Sequence, residues 1–176
     1  HALKEIKAPE AWEITTGTRT VVVAVLDSGV ALTHPDLVHN LWSAAKAFTV
    51  PFRTTKVTCQ KGDHGYDAIS QTCVPEAATG HGTHVAGIAS GGGAKFVGVA
   101  PRAQLVIVNT TFQDAHIADG IRYIFRIAKE LKCPAVVNLS LGGHSDAHDG
   151  SDSLAQIINE ECGPGRIVCC AAGNEG

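Results

Sequence analysis

Six apolar residues in a row, Val21–Leu26, run directly into a carboxylate, Asp27. An uninterrupted run has no polar face to give to solvent, so a strand built from it must be covered on both sides. Three further runs have strand length: Leu105–Val108, Ala135–Leu139 and Ile167–Ala172. Between them the pattern changes to a helical period. Ile117, Ile121, Ile124, Ala128 and Leu131 mark an amphipathic helix, Leu154, Ile157, Ile158 and Glu161 a second with one apolar face, and the Ala-rich segment Gly82–Ser90 a short third. Strands alternating with helices predict an α/β fold, a doubly wound, mostly parallel sheet with helices on both faces. A chain of 176 residues, 44% of them hydrophobic, can bury a substantial core in one domain. Functional residues of such sheets gather at the carboxyl ends of strands. Asp27, Ser140 and Asn174 all fall just past predicted strand ends.

Two stretches read as irregular, Phe48 to Thr79 and the polar loop His144 to Ser153, and the first is long enough to be a functional insertion. Cys59 and Cys73 bracket a polar, Gly-containing loop within it, and a disulfide closing residues 59–73 is expected. Cys133, Cys162, Cys169 and Cys170 sit at helix ends or in the last apolar run. One further bridge among them and a role as small buried hydrophobes are both open. Six cysteines without a metal-ligand spacing favour a secreted protein or another oxidising, extracytoplasmic compartment. A net charge of −3 with no basic block argues against nucleic acid, and no apolar run is long enough for a membrane span. No signal-peptide pattern stands at His1.

The chemistry centres on Asp27-Ser28-Gly29 and Gly80-His81-Gly82-Thr83-His84. A carboxylate and an imidazole delivered from element ends are the base half of a Ser-His-Asp engine. Each has a plainer use: Asp-Ser-Gly as a turn or N-cap, His81 as a helix-capping residue. His81 and His84 are spaced as a helical metal pair, but no third ligand is near in sequence, so His84 is read as structural. His144, Asp146, His148, Asp149 and Asp152 are spaced either as a divalent-metal cluster or as an ordinary polar loop, and the loop is the preferred reading, with no metal assigned.

These segments together resemble the subtilisin-like serine proteases (subtilases). Ile6-Lys7-Ala8-Pro9-Glu10-Ala11-Trp12 resembles the mature N-terminal stretch of that family, Asp27-Ser28-Gly29 its aspartate motif with His34-Pro35-Asp36-Leu37 behind, and His81-Gly82-Thr83-His84 its histidine motif. Val97-Gly98-Val99-Ala100-Pro101 is similar to the turn that follows, Asn138-Leu139-Ser140-Leu141-Gly142-Gly143 to the substrate-binding strand, and Ala171-Ala172-Gly173-Asn174-Glu175-Gly176 to the oxyanion-asparagine motif. The resemblance implies a serine endopeptidase in which Asp27 orients His81, His81 is the general base, and the Asn174 amide binds the oxyanion. It implies substrate contacts from Ser140, Leu141 and Gly142 on one strand and from Ala171, Ala172 and Gly173 as another pocket wall. Glu175 lies at the rim, either selecting a basic side chain or simply solvated.

The family's serine motif, Gly-Thr-Ser-Met-Ala, is absent from these residues. The expected partner is therefore a C-terminal remainder carrying the nucleophile, reached by processing or truncation after Gly176, with peptide or protein as substrate. Alone, the chain is expected to be inactive. No cofactor is required. The loop that binds calcium in many subtilases reads Gly91-Gly92-Gly93-Ala94-Lys95 here, which removes the side-chain oxygens even though Asp36 matches one ligand position; calcium elsewhere stays open. Asn109 to Ala118 is shorter than the family's outer-subsite region. The alternative is a non-catalytic, subtilase-like binding or regulatory module. A nucleotide-binding domain fits less well, because Asp27-Ser28-Gly29-Val30 is not a Gly-rich turn opening a helix.

Overall fold

Residues 2–52, 55–143, 146–147 and 149–174 are described by a computed structural model of the chain. In chain order the elements are α1 (Ala2–Glu5), α2 (Ala8–Trp12), β1 (Val22–Asp27), β2 (Phe48–Pro51), β3 (Lys56–Cys59), β4 (Gly65–Asp67), α3 (His81–Ser90), β5 (Gln104–Asn109), α4 (Asp114–Leu131), β6 (Ala135–Leu139), α5 (Ser153–Glu161) and β7 (Arg166–Cys170). Among the described residues five strands form one sheet in the order β4-β5-β1-β6-β7, with every pairing parallel. β1 lies at its centre, with Val25 opposite Ile107 on one side and Asn138 on the other.

The apolar run of β1 is divided between two cores, as a strand buried on both faces requires. Val22, Ala24 and Leu26 face α4, packing with Ile117, Ile121 and Ile124. Val25 faces the other way, toward Ala86 of α3 and the Val30–Leu41 segment. Helices therefore cover both faces, and the doubly wound α/β arrangement read from the sequence is present. Each fully buried Ile or Leu in these layers stabilises the fold by about 1.5–3 kcal/mol relative to exposure.

The region read as irregular, Phe48 to Thr79, holds more structure than its sequence announces. β2 and β3 form an antiparallel hairpin whose inward residues Val50 and Val57 join the α4 core, and β4 adds an edge strand beside β5. The expected disulfide is formed: Cys59 and Cys73 are bonded, with both side chains buried. Behind it, Phe52, Tyr66 and Tyr123 stack in series, at 4.6 and 5.3 Å between centroids. The Tyr123 hydroxyl donates to the Gly65 carbonyl at 2.9 Å. Burial in this stack holds the Tyr66 phenol neutral and pushes its pKa up to about 12, and burial raises Tyr123 further.

Cys133, Cys162, Cys169 and Cys170 are free thiols, so the further bridge left open by the sequence is not formed. Burial, and then the neighbouring Cys169 and Cys162, push the Cys170 thiol up, away from the reactive thiolate. β7 is apolar yet sits at the sheet edge, with Ile167 half exposed. Among the described residues no helix is long and apolar enough to cross a membrane.

Candidate active site

The chain leaves β1 at a point where its neighbours lead to opposite faces. β1 connects through α3 on one face to β5, while β6 connects through α5, packed on the α4 side. The crevice at the carboxyl ends of β1 and β6 is thus a topological switch point, the usual place for a site in such sheets. Asp27, the last residue of β1, stands there, almost completely buried.

His81 is the first residue of α3. Its Nδ1 lies 2.7 Å from Asp27 Oδ1, with the imidazole side chain 56% exposed and the carboxylate 1%. A carboxylate only accepts, so Nδ1 carries a proton, and in the neutral imidazole Nε2 is the acceptor. The Ser28 amide also donates to Asp27 Oδ1, at 2.7 Å. Asp27 Oδ2 is buried with no hydrogen-bond partner among the described residues. Leaving such an acceptor unpaired costs about 1–3 kcal/mol, more when charged.

Three hydroxyls that sequence reading passed over fix this geometry. Gly80 offers α3 no side-chain cap. Instead the Ser28 hydroxyl reaches across from the end of β1, accepting from the Gly82 amide at 3.3 Å and pairing with the Thr79 hydroxyl at 2.8 Å. Thr83 Oγ1 accepts from the Ala31 amide at 2.9 Å. Strand end and helix start are therefore sewn together. Gly82 makes the approach possible, since a Cβ there would stand 2.2 Å from the Gly29 carbonyl oxygen. Ser28 and Thr83 lie inside the two motifs, so their proximity to the pair was readable; Thr79 carried no signal of its own.

Ser140, Leu141 and Gly142 follow directly on β6, with the Ser140 hydroxyl accepting from Asn138 Nδ2 at 2.8 Å. Ala171, Ala172, Gly173 and Asn174 follow on the adjacent β7 and are exposed. The Ala171 amide donates to the Leu139 carbonyl at 3.0 Å, which carries the pairing of the two strands one residue beyond β7. Glu175, His144 and His148 lie outside the described residues. Within the polar loop, Asp152 caps α5 by accepting from the Ala155 amide at 2.8 Å, and Asp149 accepts from the Ser151 amide at 2.9 Å. Hydrogen bonds from Ser151 hold the Asp149 carboxyl below its usual range. These acids serve the turn and the helix cap. His84 is exposed on α3.

Two other groupings bear on metals. Cys59, Asp63 and Cys73 lie together, but the two sulfurs are bonded to each other and offer no thiolate. The Asp36 carboxylate packs against Gly93, where a Cβ would fall 2.4 Å from Oδ1.

The profile of the subtilase family (peptidase S8) matches residues 18–176. The chain is 37% identical to the major intracellular serine protease of Bacillus subtilis (strain 168), over 99% of this chain and 49% of that protein. It is 29% identical to thermitase of Thermoactinomyces vulgaris, over 98% of this chain and 54% of that protein. The fold is similar to that of the CspB protease of Clostridium perfringens, with a TM-score of 0.73 and 25% identity over 96% of this chain and 39% of that one. The chain thus spans about half the length of the curated relatives it matches.

Proposed function

The chain belongs to the subtilase family, and on that premise we propose that it is the Asp-His portion of a serine endopeptidase whose nucleophilic serine lies outside these residues. The carboxylate–imidazole pair at 2.7 Å is the observation that carries this reading. Among the described residues no serine hydroxyl is hydrogen-bonded to His81.

The mechanism follows from which atoms are presented. His81 Nε2 takes the proton of a serine hydroxyl as that oxygen attacks the peptide carbonyl, then returns it to the leaving amine. Asp27, buried and bonded to Nδ1, holds the tautomer and stabilises the imidazolium that forms. The Asn174 amide, past the end of β7, donates to the oxyanion of the tetrahedral intermediate. An extended substrate lies against Ser140, Leu141 and Gly142, with Ala171, Ala172 and Gly173 forming the pocket wall and Glu175 its rim. Glycine at 142 and 143 lets a peptide backbone come close enough to pair as an added strand.

The partner in this reading is a C-terminal remainder of the same protease, and the substrate is peptide or protein. The buried Cys59–Cys73 disulfide supports an oxidising, extracytoplasmic location, although one relative is named as an intracellular enzyme. In this reading no cofactor is required and the family's calcium site behind the histidine helix is lost, since Gly91–Lys95 brings no side-chain oxygen, while calcium elsewhere stays open.

The test is peptide hydrolysis by the longest protein that contains this sequence. Asn174→Ala is expected to lower kcat by roughly 10²–10³ with little change in KM, the cost known for removing the equivalent donor in subtilisin. His81→Ala is expected to abolish turnover. Unchanged hydrolysis in either variant would refute the roles given to these residues, and no hydrolysis by the parent would leave the non-catalytic, subtilase-like module as the better reading.

A further inference from the structure

A groove of about 980 Å³ opens on the face of the sheet covered by α4, far from the Asp27–His81 pair. Its walls are α4, the β2–β3 hairpin and the turns that enter β6 and β7. These turns stand at the amino ends of their strands, whereas Asp27 and Asn174 stand at carboxyl ends. The groove is thus on the other face and at the other end of the sheet from the site already described, and its occupant would not obstruct the crevice.

The chemistry of the groove is uneven. Its exposed apolar surface comes from Pro51, Phe52, Pro134 and Pro164, over a floor of the buried core residues Val50, Phe125 and Ala128. Five of the fourteen basic residues of a chain with net charge −3 line it, with two carboxylates, Asp119 and Glu161. Both carboxylates are engaged by Arg122, Glu161 at 3.2 Å and Asp119 at 3.9 Å. Arg166 Nε donates to the Glu161 carbonyl at the end of α5, and Arg126 reaches both Glu130 and the Thr49 carbonyl of the hairpin. Lys129 and Lys132 are exposed and have no carboxylate in ion-pair range among the described residues. The dipole at the end of α4 accounts for cations in its last turn. It does not account for the apolar surface beside them, nor for a hairpin held over α4 through Arg126.

We propose that this groove docks an acidic peptide segment with interspersed apolar side chains. The apolar surface receives the side chains, and the two uncommitted ammonium groups meet the carboxylates. A chain that is acidic overall repels such a segment elsewhere, so this patch is where the field steers it. The volume is at the upper end of what ligand clefts occupy, room for several side chains. A polynucleotide fits less well, because its even charge meets Asp119 and Glu161 and leaves the apolar surface unfilled. The stapled insertion thereby has a task that the catalytic reading left unassigned.

The experiment is fluorescence anisotropy with the longest protein that contains this sequence and a fluorescein-labelled peptide alternating Glu with Leu. Its controls are the same peptide with Gln for Glu and a single-stranded oligonucleotide of equal charge. Binding of the Glu peptide alone, weakening as salt rises, is expected. The double variant Lys129→Glu/Lys132→Glu should raise Kd by about tenfold or more, and Lys129→Gln/Lys132→Gln, which preserves stem packing, should raise it less. Circular dichroism confirms that both variants fold. Equal binding of the Glu and Gln peptides, tighter binding of the oligonucleotide, or a folded charge-reversal variant that binds like the parent would overturn the proposal. Binding is read directly, so the outcome does not depend on whether the catalytic reading holds.

Discussion

Gly82→Ala probes the seam between β1 and α3 with a single methyl group. The added Cβ would fall 2.2 Å from the Gly29 carbonyl oxygen and 3.2 Å from Asp27 Cβ. Both neighbours belong to the β1 end, so no flexible side chain can swing aside. Ordinary non-bonded contact requires more than about 1 Å of extra separation. Helix start and strand end must part by about that much, and overpacking of this kind costs roughly 1–3 kcal/mol. The same movement stretches the 2.7 Å bond from His81 to Asp27 past the limit of a hydrogen bond and strains the 3.3 Å contact from the Gly82 amide to Ser28. For a chain of this size each kcal/mol lowers Tm by about 2–4 °C. Thermal unfolding by circular dichroism gives the stability term. Proton NMR of the His81 ring gives the geometric one, because an Nδ1–H held by a carboxylate is protected from exchange and shifted downfield. A variant that melts with the parent and keeps the His81 Nδ1–H resonance would refute the reasoning that the seam sets the pair.

Other perturbations test the rest of the account. Replacing Cys59 and Cys73 together with Ala opens a loop of 14 residues' separation, and loop entropy predicts a loss of about 3 kcal/mol, read from urea unfolding of the variant against the parent. Raising the pH should unfold the chain through its tyrosines. Burial favours the neutral phenol, so Tyr66 keeps its proton to about 12 in the fold but releases it at 10.0 when unfolded, and Tyr123 is shifted in the same direction. Their contribution is whole below the unfolded pKa and declines as pH climbs toward the folded one. Unfolding monitored alongside phenolate absorbance checks this, and phenolate appearing well before unfolding would contradict it. Asp152→Ala removes the α5 cap and should cost about 1 kcal/mol by chemical denaturation.

What was legible in the sequence divides along physical lines. A strand buried on both faces must be apolar throughout, so β1, β5 and β6 announced themselves, and the spacing of Ile117, Ile121, Ile124 and Ala128 announced α4. The hairpin did not. Lys56 and Thr58 alternate with Val57 and Cys59 over only four residues, and Pro51 closes β2, so no window is long enough to carry a period. β4 has three residues and is a strand only because β5 offers it a partner. For β7 the opposite holds: its apolar run reads like the central strands, yet Ile167 is 51% exposed at the sheet edge. Composition records what a strand tolerates, while burial depends on which neighbours are present. At the site, Asp27 and His81, 54 residues apart in sequence, lie within hydrogen-bond distance. Thr79 does not stand out in sequence because a lone threonine in a loop has many uses, and only folding brings it to Ser28.

Fluorophosphonate labelling tests the central claim most directly. The probe reacts only with a serine whose hydroxyl is activated by a neighbouring base, so it reads the complete engine in one step. The 176-residue chain alone should remain unlabelled. The longer protein containing it should take up one label, located by mass spectrometry on a serine outside these residues, and should lose it in His81→Ala. A longer protein that stays unlabelled, or a label placed on a serine within these residues, would contradict the assignment of Asp27 and His81 to a triad completed from elsewhere.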